Sequence, residues 1–281
     1  MQGLLKKRKN VSHKGDYGRV AIIGGSLGMS GSITLASRAA FRLGCGYVYT
    51  VIPKSLLNIM SIKLNESILL SIEDDSKGYF VKDYINDIVS KLDNFDSIAF
   101  GMGIGDKEDN IEILKEILDN YNKPIIIDAQ GIVLLKKINK DLIKASNIII
   151  TPHPGEMAKL LGIEIKEVQA NREGWAKKVA KDLNLVVVLK GHKTVVTNGD
   201  DIYINDTGNA GMATAGSGDV LSGMIASLLA QNLNSYNAAK LSVYLHGLAG
   251  DIAKEKFGEE SLIASDIVDN IYKAIKMYKA K

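Results

Sequence analysis

The run Asn147-Ile-Ile-Ile-Thr-Pro-His-Pro-Gly-Glu156 places a short, wholly apolar segment directly before a turn that contains two prolines. Similar apolar runs occur at Ile125-Ile-Ile127 and Val186-Val-Val-Leu189. Strands that are apolar at every position are typical of parallel strands with helices on both faces. These runs therefore predict an α/β fold, a doubly wound and mainly parallel sheet flanked by helices.

Strand and helix patterns alternate outward from these runs. Strands are predicted at residues 19–24, 46–52, 97–101, 124–128, 147–151 and 185–190, and helices at 31–43, 110–121, 155–161 and 167–184. The segments 194–197 and 201–205, joined by Asn198-Gly-Asp200, predict a β-hairpin. Apolar residues at three- and four-residue spacing predict three further helices at 217–231, 235–256 and 265–279.

The composition is that of an ordinary globular protein. Hydrophobic residues make up 46% of the 281 residues and charged residues 24%. No Pro- or Ser-rich linker divides the chain, so residues 1–281 are expected to form one domain. The single cysteine, Cys45, excludes an internal disulfide framework and, in its apolar context, is predicted to be buried. Neither a membrane span of about 20 apolar residues nor a signal peptide is recognisable, which predicts a cytoplasmic protein with no membrane contact.

Charge gives little reason to expect a nucleic-acid partner. The net charge is only +3, and the one basic cluster is Lys6-Lys-Arg-Lys9. No aromatic platform or basic helix accompanies this cluster, so it is predicted to be a solvated tail.

Ligands of open α/β sheets bind beyond the carboxyl ends of the strands. Five loops are predicted to lie there, at residues 24–31, 101–105, 128–131, 151–156 and 190–194. The first loop lacks the glycine spacing of a dinucleotide-binding unit, and no Walker P-loop occurs in the chain. If the protein binds a phosphate group, a different loop must therefore bind it.

The run Asn209-Ala-Gly-Met-Ala-Thr-Ala-Gly-Ser-Gly-Asp219 leads directly into a helical pattern. Its glycines and the helix start would gather free N–H groups and a positive dipole end beside one carboxylate. That arrangement suits phosphoryl transfer, with Asp219 deprotonating a substrate hydroxyl while the N–H groups stabilise the transferring phosphoryl group. The structural alternative is that Asp219 only caps the helix and the glycines only permit a turn.

Two more loops contain candidate polar groups. In Thr151-Pro-His-Pro-Gly-Glu156 the prolines fix the backbone, so that His153 could bind a polar substrate and Glu156 a water on Mg²⁺. The alternative is that Glu156 only complements the helix dipole. Lys190-Gly-His-Lys-Thr194 follows a buried strand, from which its side chains and backbone could reach a nucleotide. His246, in an apolar context, is predicted to be a hydrogen-bonded core residue.

Several of these motifs, in this order along the chain, resemble one known family. They are His13-Lys-Gly-Asp-Tyr-Gly18, the Gly24-Gly-Ser26 loop, Thr151-Pro-His-Pro-Gly-Glu156, Lys190-Gly191 and the run that ends at Asp219. Together they resemble the ADP/ATP-dependent NAD(P)H-hydrate dehydratases of the ribokinase-like superfamily. The resemblance implies a ribokinase-like fold and repair of the S epimer of hydrated NADH or NADPH with ADP or ATP and Mg²⁺. In that family the ring hydroxyl is phosphorylated and phosphate is then eliminated.

The resemblance also implies roles for individual residues. Asp219 matches the catalytic base, and Gly216, Ser217 and Gly218 match the anion hole. The adenine nucleotide would contact Gly218 and the loop formed by Lys190, Gly191, His192, Lys193 and Thr194. The hydrated dinucleotide would face Ser32, Gly103, His153 and Asp219, and Glu156 would organise Mg²⁺ through water. Ser32 departs from the small apolar residue that is usual at its position.

Family analogy further implies a homo-oligomer, a tetramer in related members, and favours ADP for stand-alone forms. Few residues precede His13, so no fused epimerase domain is expected and a separate NAD(P)H-hydrate epimerase would be the partner enzyme. The alternative within enzymes is a ribokinase-like small-molecule kinase of the hydroxyethylthiazole or pyridoxal type, which would release a stable phosphomonoester. A nucleotide-binding regulator without turnover, in which Asp219 is a helix cap, is the alternative outside enzymes.

Overall fold

The structure, a computed structural model, describes residues 3–5, 7–145 and 147–280. In these residues nine strands form one sheet in the order β3-β2-β1-β4-β5-β6-β7-β8-β9. The strands are β1 (Arg19–Ile23), β2 (Tyr47–Pro53), β3 (Ile68–Ile72), β4 (Ser97–Phe100), β5 (Ile125–Ile127), β6 (Ile148–Ile150), β7 (Val186–Leu189), β8 (Val195–Thr197) and β9 (Ile202–Ile204).

All neighbouring strands from β3 to β7 pair in parallel, whereas β8 and β9 are antiparallel. The prediction of a mainly parallel α/β sheet with a terminal hairpin is confirmed. The chain runs outward from β1 to β2 and β3, then crosses to β4 on the other side of β1. From β1 and from β4 the chain continues to opposite sides of the sheet, and this switch point is where α/β sheets bind their ligands.

Helices cover both faces of the sheet. Their bounds are α1 (Ser30–Arg42), α2 (Leu57–Lys63), α3 (Asn86–Val89), α4 (Asp109–Asn120), α5 (Gln130–Leu134), α6 (Lys140–Ala145), α7 (Pro154–Leu161), α8 (Ile165–Ala170), α9 (Arg172–Leu183), α10 (Ser217–Ala230), α11 (Ser235–Phe257) and α12 (Ala264–Ala280). One apolar cluster includes α1, α10, α11 and α12, and a second on the other face includes α4, α7 and α9. No helix of the described residues is both long and apolar enough to cross a membrane.

Helix α10 is buried on nearly all sides, which fixes the position of the loop before it. It crosses α1 so closely that a Cβ on Gly223 would lie 2.0 Å from the carbonyl oxygen of Ala36. The buried hydroxyl of Ser97, on β4, donates a hydrogen bond to the carbonyl oxygen of Ala226. These contacts hold the amino end of α10 rigidly at the carboxyl end of the sheet.

Sequence patterns missed or merged some elements. The helix α2 and the edge strand β3 were not predicted, because β3 is partly exposed and lacks a continuous buried pattern. The predicted helix 167–184 is two helices, α8 and α9. They separate at Asn171, which has an extended φ of −146° and whose side chain accepts a hydrogen bond from the Gly174 N–H.

The amino-terminal segment is only partly the solvated tail that was predicted. Lys6 lies outside the described residues, and Lys7 and Lys9 are exposed. Arg8 is also exposed, but it makes contacts: its guanidinium lies 3.9 Å from the centre of the Tyr17 ring and donates a hydrogen bond to the carbonyl of Gly44. The planar guanidinium thus stacks on an aromatic ring, that of Tyr17, and binds a carbonyl oxygen at the end of α1, that of Gly44. Both contacts are favourable for a cation.

Candidate active site

Asp219 is the third residue of α10 and lies at its amino end, at the carboxyl edge of the sheet. Burial, reinforced by the negative charge of Asp128, raises the pKa of Asp219 to about 6, against opposing effects of a hydrogen bond from Ser32 and the charge of Lys190. A carboxylate with a pKa near the working pH is a better proton acceptor than an ordinary aspartate. The raised pKa therefore suits Asp219 to act as a general base.

A cradle of free backbone N–H groups lies at the same helix start as this carboxylate. Gly216 is left-handed, with φ of 90°, and starts the helix. Of the first N–H groups of α10, those of Ser217 and Val220 donate to nearby carbonyls. The N–H groups of Gly218 and Asp219 have no such acceptor in the described part of the chain. Two donors and the positive end of a buried helix are thus available to an anion.

A buried ion pair lies under the cradle. The ammonium of Lys190 is 2.8 Å from Oδ1 of Asp128 and 3.7 Å from Oε2 of Glu156. Burial opposes ionisation of both partners, but their mutual attraction outweighs it, so that the pKa of Asp128 is lowered and the pKa of Lys190 is raised. Ser222 also donates to Asp128, over 2.7 Å. Both groups therefore stay charged at neutral pH.

Lys190 also limits the space beside the cradle. A Cβ added to Gly218 would lie 3.2 Å from the Lys190 ammonium, so the lysine passes directly beside the helix start. Its positive charge interacts with Asp219 as well as with the carboxylates of Asp128 and Glu156. A phosphoryl group in the cradle would meet this charge.

His153 and Glu156 form a reciprocal cap at the start of α7. Nδ1 of His153 accepts hydrogen bonds from the N–H groups of Gly155 and Glu156, and Oε2 of Glu156 accepts one from the His153 N–H, over 2.8 Å. Nδ1 therefore carries no proton, and in the neutral imidazole Nε2 is the donor. Nε2 lies 3.5 Å from Oε1 of Glu156 and is exposed to an incoming ligand.

The loops after β1 and β4 pack against each other. The hydroxyl of Ser26 donates to the carbonyl oxygen of Gly103, and the N–H of Gly25 donates to the carbonyl oxygen of Met102. Gly103 has φ of 65°, and a Cβ there would be 2.7 Å from the carbonyl oxygen of Met29 and 3.2 Å from Cβ of Ser32. Only glycine fits this approach, which brings Gly103 beside Ser32, the residue whose side chain hydrogen-bonds to Asp219.

The loop Lys190–Thr194 forms the outer wall. Gly191 and Lys193 are left-handed, with φ of 135° and 53°, and the Thr194 hydroxyl braces the turn by donating to the Gly191 carbonyl. Lys190 points inward, whereas His192 and Lys193 are exposed. The predicted site residues thus gather at one edge of the sheet, with these two at its rim.

His246 and Cys45 are buried core residues, as predicted. His246 is buried, its pKa is lowered by burial to about 4, and its Nε2 lies 3.0 Å from the Ser217 carbonyl oxygen, to which it donates. Cys45 is buried, and burial raises the pKa of its thiol to about 12. Neither residue has the properties of a nucleophile or base at neutral pH.

No role for Asp128, Ser222 or Arg172 was predicted from the sequence. Asp128 directly follows the buried strand β5, so its place at the carboxyl edge could have been found from the strand pattern. Ser222 lies one helical turn after Asp219, on the same face of α10. Arg172, whose guanidinium donates to the carbonyls of Leu189 and Lys190, has no signal in the sequence, because it reaches the site from another helix.

The fold and the site define a class of protein: an α/β enzyme of ribokinase-like architecture whose helix-start cradle and carboxylate suit phosphoryl transfer. Ribokinase of Thermotoga maritima shares the fold, with a TM-score of 0.55 at 18% identity over 92% of this chain and 100% of that one. At that identity the likeness concerns the fold alone.

Closer comparisons identify the family. The model of the NAD(P)H-hydrate dehydratase family matches residues 20–273, and the chain belongs to this family. It is 38% identical to the ADP-dependent (S)-NAD(P)H-hydrate dehydratase of Neisseria meningitidis, over 94% of this chain and 87% of that protein. It is 39% identical to the bifunctional NAD(P)H-hydrate repair enzyme Nnr of Moorella thermoacetica, over 94% of this chain but only 50% of that protein. The chain thus spans about half the length of the bifunctional relatives.

The crystal structure of an ADP/ATP-dependent NAD(P)H-hydrate dehydratase from Bacillus subtilis, co-crystallised with ATP and Mg²⁺, superposes with a TM-score of 0.83. The identity is 29%, over 97% of this chain and 94% of the other. The predicted family and ribokinase-like fold are therefore confirmed, and the dehydratase is favoured over the small-molecule kinase.

Proposed function

We propose that this chain dehydrates the S epimer of hydrated NADH and NADPH, with ADP or ATP as phosphoryl donor, and so repairs the damaged cofactors. The observation that carries the proposal is Asp219, a carboxylate with a pKa raised to about 6 beside two unpaired N–H groups at the start of a buried helix. The names of the relatives supply the substrate.

The first step is phosphorylation of the hydroxyl on the nicotinamide ring. Asp219 removes the hydroxyl proton while the oxygen attacks the terminal phosphorus of the nucleotide, so that one P–O bond forms and the bond to the leaving AMP or ADP breaks. The N–H groups of Gly218 and Asp219 and the Lys190 ammonium stabilise the charge on the transferring group. Gly216 and Ser217 shape this anion hole.

Elimination follows. The C–O bond breaks and its electron pair leaves with phosphate, while the lone pair of the ring nitrogen forms a C=N bond to the carbon that carried the oxygen. Loss of a proton from the neighbouring ring carbon restores the double bond and the reduced nicotinamide. Phosphate is a far better leaving group than hydroxide, which explains why a phosphoryl-transfer fold serves a dehydration. Ser32, Gly103 and His153 would hold the ring, with Nε2 of His153 donating to it.

The site also suits the Mg²⁺ that accompanies nucleotides. Among the described residues no group of three or more His, Cys, Asp or Glu side chains is arranged to hold a metal alone. Mg²⁺ usually keeps several waters and binds substrate phosphates plus one or two carboxylates, so a single nearby carboxylate is sufficient. Glu156, 13% exposed at the edge of the site, would hold the ion through water. Bound there, Mg²⁺ would neutralise phosphate charge.

The loop from Lys190 to Thr194 would contact the nucleotide, with Gly191 giving close backbone approach and His192 and Lys193 reaching from the rim. We further propose that residues 1–281 act as one cytoplasmic domain, in a homo-oligomer such as a tetramer, and prefer ADP. Relatives of about twice the length are named as bifunctional repair enzymes, which supports a partnership with a separate epimerase.

The test is incubation of the purified protein with hydrated NADH, Mg²⁺ and either ADP or ATP. We expect the absorbance band of reduced nicotinamide to return, with one AMP or ADP and one inorganic phosphate per turnover. Asp219→Asn, which keeps the shape of the side chain and removes its basicity, is the control. A stable phosphorylated product instead of phosphate would indicate the kinase, and nucleotide binding without any product would indicate the regulator.

A further inference from the structure

Arg172 makes an unusual set of contacts with the loop beside the cradle. It is the first residue of α9, and its guanidinium donates to the carbonyl oxygens of Leu189, over 3.0 Å, of Lys190, over 3.2 Å, and of His192. Three acceptors within four consecutive residues are thus held by one side chain that belongs to a different element. A planar group with five N–H donors can make this contact, and an ammonium cannot reproduce it.

The guanidinium is also an unpaired charge. Among the described residues no carboxylate forms an ion pair with Arg172, and its Nε atom is buried with no hydrogen-bond partner. Burial lowers the pKa of Arg172, but guanidinium remains protonated. A half-buried cation without a counter-ion costs free energy, so stability of the fold alone does not explain its presence.

The loop needs an external brace. Gly191 and Lys193 both have left-handed backbone, which costs free energy at Lys193. A Cβ on Gly191 would lie 3.1 to 3.4 Å from the guanidinium, so the arginine packs flat against the bare backbone of the turn. On the other side, the Lys190 N–H donates to the carbonyl oxygen of Pro152 over 2.8 Å. Arg172 and Pro152 therefore clamp the loop between two elements.

We propose that Arg172 is the positioning residue of the nucleotide loop. By fixing the carbonyls of residues 189–192, it aims the Lys190 ammonium at the cradle and the Gly191 backbone at the nucleotide. Its uncompensated positive charge adds to the attraction for phosphate. The inference rests on the proposed function, in which this loop contacts ADP or ATP, and it assigns to Arg172 an effect on nucleotide affinity without contact with the reacting atoms.

The experiment compares Arg172→Lys, which keeps the charge but not the fork of donors, with Arg172→Gln, which keeps two N–H donors but not the charge. Lys178→Gln is the matched control, because Lys178 lies on the same helix and pairs with Asp182 on the exposed side. For each variant, the Kd for ADP is measured by calorimetry and KM and kcat by the hydrated-NADH assay. Amide hydrogen exchange of residues 189–194 reports the order of the loop.

We expect both Arg172 variants to raise the Kd and KM for nucleotide at least tenfold and to speed exchange in residues 189–194. The KM for hydrated NADH should stay within twofold, and Lys178→Gln should match the wild type. Loss of stability with unchanged nucleotide affinity at a temperature where the variants are folded would overturn the inference, as would unchanged exchange. If the wild type neither binds nucleotide nor repairs hydrated NADH, the proposed function itself fails. If the wild type is active and the Arg172 variants bind nucleotide as it does, only the role of Arg172 fails.

Discussion

The two ends of the sheet are both charged, yet their charges have different surroundings. At the amino ends of the strands lies a cavity of about 640 Å³ lined by five basic side chains, Lys7, Arg8, Lys9, Arg42 and Lys279. At the carboxyl ends, Asp128, Glu156 and Asp219 surround the ammonium of Lys190. The first set is exposed to solvent and the second is mostly buried.

The charges at the amino end have an ordinary structural explanation. The carboxyl ends of α1 and α10 reach this cavity at Leu43 and Gln231, and the last turn of α12 carries Lys279. Cations at such ends compensate the partial negative charge of the last carbonyls. At the other end, carboxylates are buried near one another, and the resulting free-energy cost appears as the raised pKa of Asp219. A pKa perturbed in this way is typical of functional sites.

The sharpest test of this contrast replaces one aspartate at each end. Asp219→Asn should lower turnover about a hundred- to ten-thousandfold, the usual effect of losing a general base. Asp16→Asn, which alters a residue lining the amino-end cavity, should leave turnover unchanged. Both are measured by return of the reduced-nicotinamide absorbance, with nucleotide binding followed separately. Full activity of Asp219→Asn would show that the carboxylate is only a helix cap.

The buried ion pair should affect stability much more than an exposed one. Lys190→Met leaves Asp128 charged and buried without its partner, and we expect a loss of about 3 to 5 kcal/mol in the free energy of unfolding. Lys178→Met removes the same kind of charge from an exposed pair, where the loss should stay below about 1 kcal/mol. Urea unfolding at pH 7 measures both. Equal losses would mean that burial of the Asp128–Lys190 pair is not important for stability.

Both stability and activity should depend on pH through Asp219. Its pKa is about 6 in the folded protein and near 3.8 in an unperturbed aspartate, so the folded state holds the proton more tightly. The contribution of this group to stability therefore falls as the pH rises from about 4 to about 6 and is constant above that range. Asp219→Asn should thus be more stable than wild type at pH 7, by up to about 3 kcal/mol, with the difference disappearing below about pH 4. Turnover of the wild type should fall about tenfold per pH unit below 6, as the base becomes protonated. A rate that is flat between pH 5 and 7 would contradict the assigned role.

Much of this site could be predicted from sequence because it depends on local patterns. The apolar strands, the helix start at Ser217 and the loop motifs are contiguous, and they predicted the parallel sheet and its ligand edge. The position of β8 and β9 also followed from a short turn signal, Asn198-Gly-Asp200.

Contacts between distant segments could not be predicted in this way. The pairing of Asp128 with Lys190 joins residues 62 positions apart, and the clamp by Arg172 reaches from a helix whose start depends on the break at Asn171. The same reason explains why the hydrogen bond of Arg8 was not predicted, because its partner Gly44 is 36 residues away. From the sequence, the charge of this basic cluster indicates only that its side chains face solvent. The fold brings the Tyr17 ring and the Gly44 carbonyl to Arg8.

The smallest effect is expected at that arginine. Arg8→Ala removes the stacking on Tyr17 and the hydrogen bond to the Gly44 carbonyl, and an exposed cation–π contact contributes about 0.5 to 1 kcal/mol. We expect a total loss of about 1 to 2 kcal/mol in the free energy of unfolding, because the partly exposed hydrogen bond adds a similar amount. Turnover should be unchanged, since α10 separates this end from Asp219 by ~20 Å. Lys9→Ala, which has no comparable partner in the described residues, is the control and should be neutral in both measurements. A loss of activity in Arg8→Ala without loss of stability would mean that the amino end takes part in function, and the contrast between the two ends would no longer hold.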